Sequence, residues 1–191
     1  MNKIESTKDL DGESEKALAA AVVASDVWLD FCFPYHAGSR IHDAAMQAHR
    51  CRYGLLALVR TRRGLPEEAP ALCDRALALS PREPLRAVWY LALAWSALAR
   101  KDYAAGLDAA QRGMAANPGL PTNYAAGAAA AQALGEKDLA ARWVQRLREH
   151  SVFRSVPAFH RRMPVATSPA HRRQMQEAAH LLAQAGLPEV E

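Results

Sequence analysis

The sequence predicts an all-α protein built from tandem antiparallel helical hairpins, with a separate N-terminal helix and a C-terminal capping helix. Three observations lead there. Half of the 191 residues are hydrophobic, yet only 7% are aromatic, because alanine dominates the apolar fraction. Alanine has the highest helix propensity and no side-chain entropy to lose, so an alanine-rich interior implies closely approaching helices. No run alternates β-branched or aromatic residues over six positions, so strands are not expected. Finally, Pro, Gly and Asn-Pro breaks recur at a spacing set by pairs of short helices.

Taken in order, residues 1–13 are polar and expected to fray. Residues 14–38 hold a helix from Ser14 to about Phe31, with Leu18, Val22 and Leu29 on one face and Trp28 nearby. Phe33-Pro34-Tyr35-His36-Ala37-Gly38 ends it, since Pro34 disfavours helix at the residue before it. Residues 39–152 carry the regular pattern. A helix from about Ile41 to Arg63 stops at Gly64-Leu65-Pro66. The next begins with Pro66, Glu67 and Glu68, acidic residues suited to a helix N-terminus, and runs to Leu79. Ser80-Pro81 ends that one. Further helices follow over 85–99, 103–116, 122–134 and 137–150, separated by turns at Asp102, Asn117-Pro118-Gly119 and Gly135. Residues 153–191 read as a basic linker and a last helix. That helix opens at Ser168-Pro169 and carries a stripe of Met175, Ala178, Leu181 and Leu182 before Gly186.

The unit helix, short turn, helix, then Ser-Pro or Asn-Pro repeats, with Pro81 and Pro118 separated by 37 residues. A hairpin cannot bury its own apolar faces, so such units stack. Residues Ala87 to Pro118 resemble a tetratricopeptide repeat, a motif of about 34 residues. Its Asp102-Tyr103 turn, the small Gly106 and Gly113, and the closing Asn117-Pro118 carry the likeness. Residues from about Arg50 to Pro81 resemble it through Tyr53, Leu56-Ala57, Gly64, Ala69, Ala76 and Pro81. Residues from about Pro121 to Val152 do so through Tyr124, Gly127-Ala128, Gly135 and Ala140, with Leu147 in place of a small residue and no closing proline. The tail, ending Ala-Gly-Leu-Pro-Glu, resembles the end of repeat regions attached to bacterial adenylate/guanylate cyclases and winged-helix regulators. Neither of those attached domains is present in this sequence.

The resemblance implies a concave groove lined by the first helix of each hairpin. The positions that would face it are Leu58 and Arg62, then Val88, Leu91, Trp95 and Leu98, then Ala125, Ala129 and Gln132. Trp95 is the candidate anchor for a partner, the alternative being an indole packed against the next helix. Asn123 and Gln132 are candidates to hydrogen-bond a peptide backbone, the alternative being polar residues that face solvent and hold no ligand. Some relatives hold a terminal carboxylate with paired Lys and Asn. Leu91 and Trp95 stand at those places here, which points instead to a hydrophobic or helical ligand.

Other chemistry is thinly supported. The three cysteines, Cys32, Cys51 and Cys73, form no metal or redox spacing. His42 and His49 lie about two helical turns apart, too far for a paired metal site on one helix. His160, His171 and His180 have no ligand spacing. No phosphate loop, nucleophile elbow or HExxH is present, so no enzyme activity, cofactor or metal is expected. The formal charge of +4 is modest. Arginines cluster at Arg142, Arg146, Arg148, Arg154, Arg161, Arg162, Arg172 and Arg173, which reads as a solvated flank or, alternatively, a docking face. With only Phe153 and Phe159 among them, nucleic-acid stacking is not expected.

Acidic residues precede the apolar stretch Ala17 to Ala24, contrary to a secretion signal, and no run approaches the roughly 18 apolar residues of a bilayer span. A cytoplasmic protein with no membrane partner is the expectation. The functional reading is a non-catalytic module that binds another protein or a peptide. The alternatives are a self-associating module, in which residues 1–38 pair chains into a homo-oligomer, and a sensor of a small apolar ligand.

Overall fold

The computed structural model describes residues 53–79, 85–163 and 168–190. The expected N-terminal helix, His42 and His49, Cys32 and Cys51, and the Ser80-Pro81 break lie outside the described residues. Among those residues every regular element is helical. Helix α1 covers 53–62. A 3-10 turn over Pro66–Glu68 leads into α2 (Ala69–Leu79). Then come α3 (Arg86–Ala99), α4 (Tyr103–Ala116), α5 (Pro121–Ala133) and α6 (Lys137–His150). A short α7 (Val156–Arg162) precedes α8 (Pro169–Gln184). The sequence marks the limits of α4 and α6 to the residue, and those of α3 and α5 within one.

Two differences have physical causes. Glu67 and Glu68 lie in the 3-10 turn rather than in the helix proper. The segment expected to be a linker contains α7. Ser155 accepts a hydrogen bond from Ala158 N at 3.2 Å, and Pro157 sits in the first turn. That hydroxyl cap followed by proline is a helix start.

Short turns fold the helices onto one another. Three residues join α3 to α4, and the two pack along each other. The Asp102 carboxylate accepts from Ala105 N at 3.2 Å and caps α4. Just before it, Lys101 takes φ +60, while the turn between α5 and α6 uses Gly135 at φ +82 for the same left-handed bend. Helix α4 packs on α5, α5 on α6, and α3 reaches past α4 to touch α5.

Small residues set the spacing. Every residue from Ala125 to Ala131 is buried, so α5 is covered on all sides. A Cβ placed on Gly106 of α4 would lie 3.6 Å from Ala94 O and 3.7 Å from the Ala130 methyl, so three helices meet there. On Gly127 of α5 a Cβ would fall 2.5 Å from Trp143 Cζ3 of α6. A Cβ on Gly54 of α1 would run into the Trp89 indole, which is fully buried. Gly54 and Gly127 are seats for large rings, which alanine interiors otherwise could not accommodate. By contrast α6 is amphipathic: Ala140, Val144 and Leu147 point inward while Arg142, Arg146 and Arg148 are exposed.

Candidate functional site

The sequence assigned the groove to the first helix of each hairpin, which are α1, α3 and α5. In the structure that face is covered. Helix α8 lies across α5 and α3, and its first turn reaches α1. Trp95, the candidate anchor, is 4% exposed, and Leu58, Val88, Leu91 and Leu98 are all buried. Arg62 and Gln132 are half-buried.

Local sequence explains how α8 is seated. Its buried residues are His171, Gln174, Met175, Ala178, Ala179 and Leu182. They recur every three or four positions and form one face. Ser168 works twice. Its Oγ accepts from His171 N at 3.1 Å, capping the helix, and donates to Arg62 O of α1 at 2.8 Å. Gln174 Nε2 donates to Trp95 O of α3 at 2.6 Å. At the exposed edge, Tyr103 Oη donates to Glu177 Oε1 at 3.2 Å, and Lys101 Nζ lies 3.8 Å from the same atom. Behind α8, Val156 N donates to Pro188 O at 2.8 Å and Phe153 packs on Phe159, which ties α7 to the end of the chain.

One group in this seam is badly served. Gln174 Oε1 can only accept, so His171 Nδ1, 3.2 Å away, must donate to it. That leaves His171 Nε2 as the bare nitrogen, and it is buried with no partner. It belongs to the wall of a cavity of about 20 Å³ lined by Leu58, Thr61, Arg62, Leu91, Trp95, Met163 and His171. Burial pushes the His171 pKa below its ordinary value. The Gln174 bond opposes that shift and the nearby Arg62 charge adds to it. The imidazole is therefore held neutral. Burial likewise lowers the Arg62 pKa.

Of the expected site residues, Leu58, Arg62, Leu91 and Trp95 are brought together around this cavity. Val88, Leu98, Asn123 and Gln132 do not line it. Asn123 is not a groove residue: it is fully buried, and its Nδ2 donates to Ala87 O at 3.4 Å, tying α5 to α3. Packed tightly over Gly113, its amide is unavailable to a peptide backbone. Comparisons with protein-family models, curated proteins and solved structures find no match for this chain.

Ser168, His171 and Gln174 were not singled out as site residues from the sequence, although the Ser168-Pro169 cap was. The signal available for the other two was their position: both fall on the stripe of Met175, Ala178 and Leu182. Elsewhere, Arg142, Arg146, Arg148, Arg154, Arg172 and Arg173 are exposed. Phe153 and Phe159 are fully buried and offer no ring for stacking. A shallow recess of about 550 Å³ holds Arg148 and Arg154 together with Glu149. It lies at the C-terminal end of α6, where arginines complement the helix dipole. Among the described residues no group of three His, Cys, Asp or Glu could hold a metal, and no helix is long and apolar enough to cross a membrane.

Proposed function

We propose that this chain is a non-catalytic protein-interaction module of the tetratricopeptide-repeat type, and that the face of α1, α3 and α5 is a seat for a helix. The observation that carries this reading is α8 itself. It rests on that face with an apolar stripe at helical spacing and two side-chain hydrogen bonds to main-chain carbonyls, the manner in which grooves take helices. The next-but-one contact of α3 with α5, the glycine seats and the short capped turns support the repeat architecture. In this reading the module is regulated by its own C-terminal helix, which a partner must displace.

The test is affinity capture from the native lysate with the full chain, beside Gln174→Ala and Trp95→Ala variants of matched helicity. Gln174→Ala loosens α8 and leaves the groove helices intact, so it should capture more of the same partner than the unaltered chain. Trp95→Ala should capture less. A partner held equally by all three chains, or no partner for any of them, would overturn the reading.

A further inference from the structure

Resting on that reading, we infer the chemistry of the partner: a helix with the pattern of α8 but with an apolar side chain where α8 carries His171. The argument begins with what any occupant must supply. Arg62 O and Trp95 O each receive a side-chain donor from α8, one from the Ser168 hydroxyl and one from the Gln174 amide. The donors stand at the helix cap and six residues further on. An occupant that keeps both bonds carries a hydroxyl and an amide at the same separation. Between and beyond these keys the face asks for a long unbranched residue at the Met175 position. It asks for two small ones at Ala178 and Ala179, and for a leucine at Leu182.

Position 171 breaks the match. Four apolar side chains, Leu58, Leu91, Trp95 and Met163, line the cavity there beside Thr61 and Arg62. Into that wall α8 places an imidazole whose Nε2 is buried without a partner. A leucine or methionine at this place would add apolar contact and remove the orphaned nitrogen. It gives up the His171–Gln174 hydrogen bond, but Gln174 also lines the open recess beside Glu177, where water can serve the freed Oε1. The self-ligand is therefore a weakened copy of the best ligand, and tethering supplies what its fit lacks. A covalently attached helix enjoys an effective concentration of order millimolar. A free helix that fits about tenfold better then competes at about a tenth of that concentration, whereas a free copy of α8 needs all of it.

The experiment uses the full chain, unaltered and with Gln174→Ala in cis, and labelled synthetic peptides of residues 168–190. The peptides carry the native sequence, His171→Leu, or His171→Leu with Gln174→Ala. Fluorescence anisotropy should rank the His171→Leu peptide first, about tenfold or more tighter than the native peptide on either chain, a shift of the size expected for one improved buried side chain. Removing the amide from that peptide should return the gain. All peptides should bind the loosened chain more tightly than the unaltered one. Equal binding of the native and His171→Leu peptides overturns the inference, as does indifference to the state of α8. If the peptides fail while lysate capture still depends on Trp95, the groove reading stands and this partner pattern falls. A concentration-dependent dimer of the unaltered chain, exchanging α8 with no preference for His171→Leu peptide, also overturns it in favour of a second copy as the occupant.

Discussion

Glycines 106 and 127 both sit inside helices, yet alanine at the two positions should move stability in opposite directions. Replacing an interior helical glycine by alanine gains about 1 kcal/mol from propensity. At Gly106 the new methyl would meet its nearest neighbours at 3.6 to 3.7 Å, which is ordinary contact. The gain should survive, and Gly106→Ala should stabilise by up to about 1 kcal/mol. At Gly127 the methyl would lie 2.5 and 2.7 Å from Trp143 and 3.1 Å from Met114 Cε. Such overpacking costs about 1–3 kcal/mol, near the middle of that range here because Trp143 is half-buried and its ring can shift only part of the way. The net for Gly127→Ala is a loss of about 1 kcal/mol. The two variants should therefore differ by about 2 kcal/mol, or roughly 4–8 °C in Tm for a chain of this size. Urea and thermal unfolding followed by circular dichroism would measure it. Adding Trp143→Leu to Gly127→Ala should recover most of the loss as a coupling between the two sites. If Gly127→Ala is as stable as Gly106→Ala, the close approach of α5 and α6 is wrong.

Two further outcomes follow from buried titratable groups. His171 is held neutral by burial, with its pKa below the ordinary value of about 6.5. An undocked α8 therefore takes up a proton more readily than a docked one. Docking should be fully stable above about pH 6.5 and weaken as pH falls below it. The recess beside this histidine holds Glu67, Arg100, Lys101, Arg173 and Glu177, while Arg62 lies on the cavity side. Hydrogen exchange of α8 amides, corrected for intrinsic rates, should show faster opening at pH 5.5 than at 7.5, and His171→Gln should flatten the difference; an unchanged slope in that variant would refute the assignment. Cys73 is fully buried, with its thiol pKa pushed up to about 12 by burial and the nearby Asp74 charge, and it should resist thiol reagents at pH 8 in a chain carrying Cys32→Ser and Cys51→Ser. Rapid labelling without denaturant would contradict the packing of α2 on α3.

Helix limits were legible because caps and breakers are local. Asp102, Pro121 and Ser168-Pro169 each act within one turn of the residues that reveal them. Which face of a helix is inside was also legible where the face is amphipathic, as with Ala140, Val144 and Leu147 in α6. It was not legible for α5, whose residues from Ala125 to Ala131 are all small and all buried. A helix apolar all round gives no phase from which to tell groove from core. Asn123 shows the consequence. A polar residue at the start of such a helix looks solvent-facing, whereas its bond to Ala87 O makes it interior. The Trp95 carbonyl receives its side-chain bond from Gln174, 79 positions away, and no local rule encodes a pairing across that distance.

The hydroxyl of Ser168 closes onto Arg62 across 106 residues of chain. A ribosome adds about 5–20 residues per second. The face of α1 and α3 is therefore made several seconds before the helix that covers it emerges. Throughout that interval Leu58, Leu91 and Trp95 lack the cover that α8 gives them in the folded chain, and their apolar surface faces water.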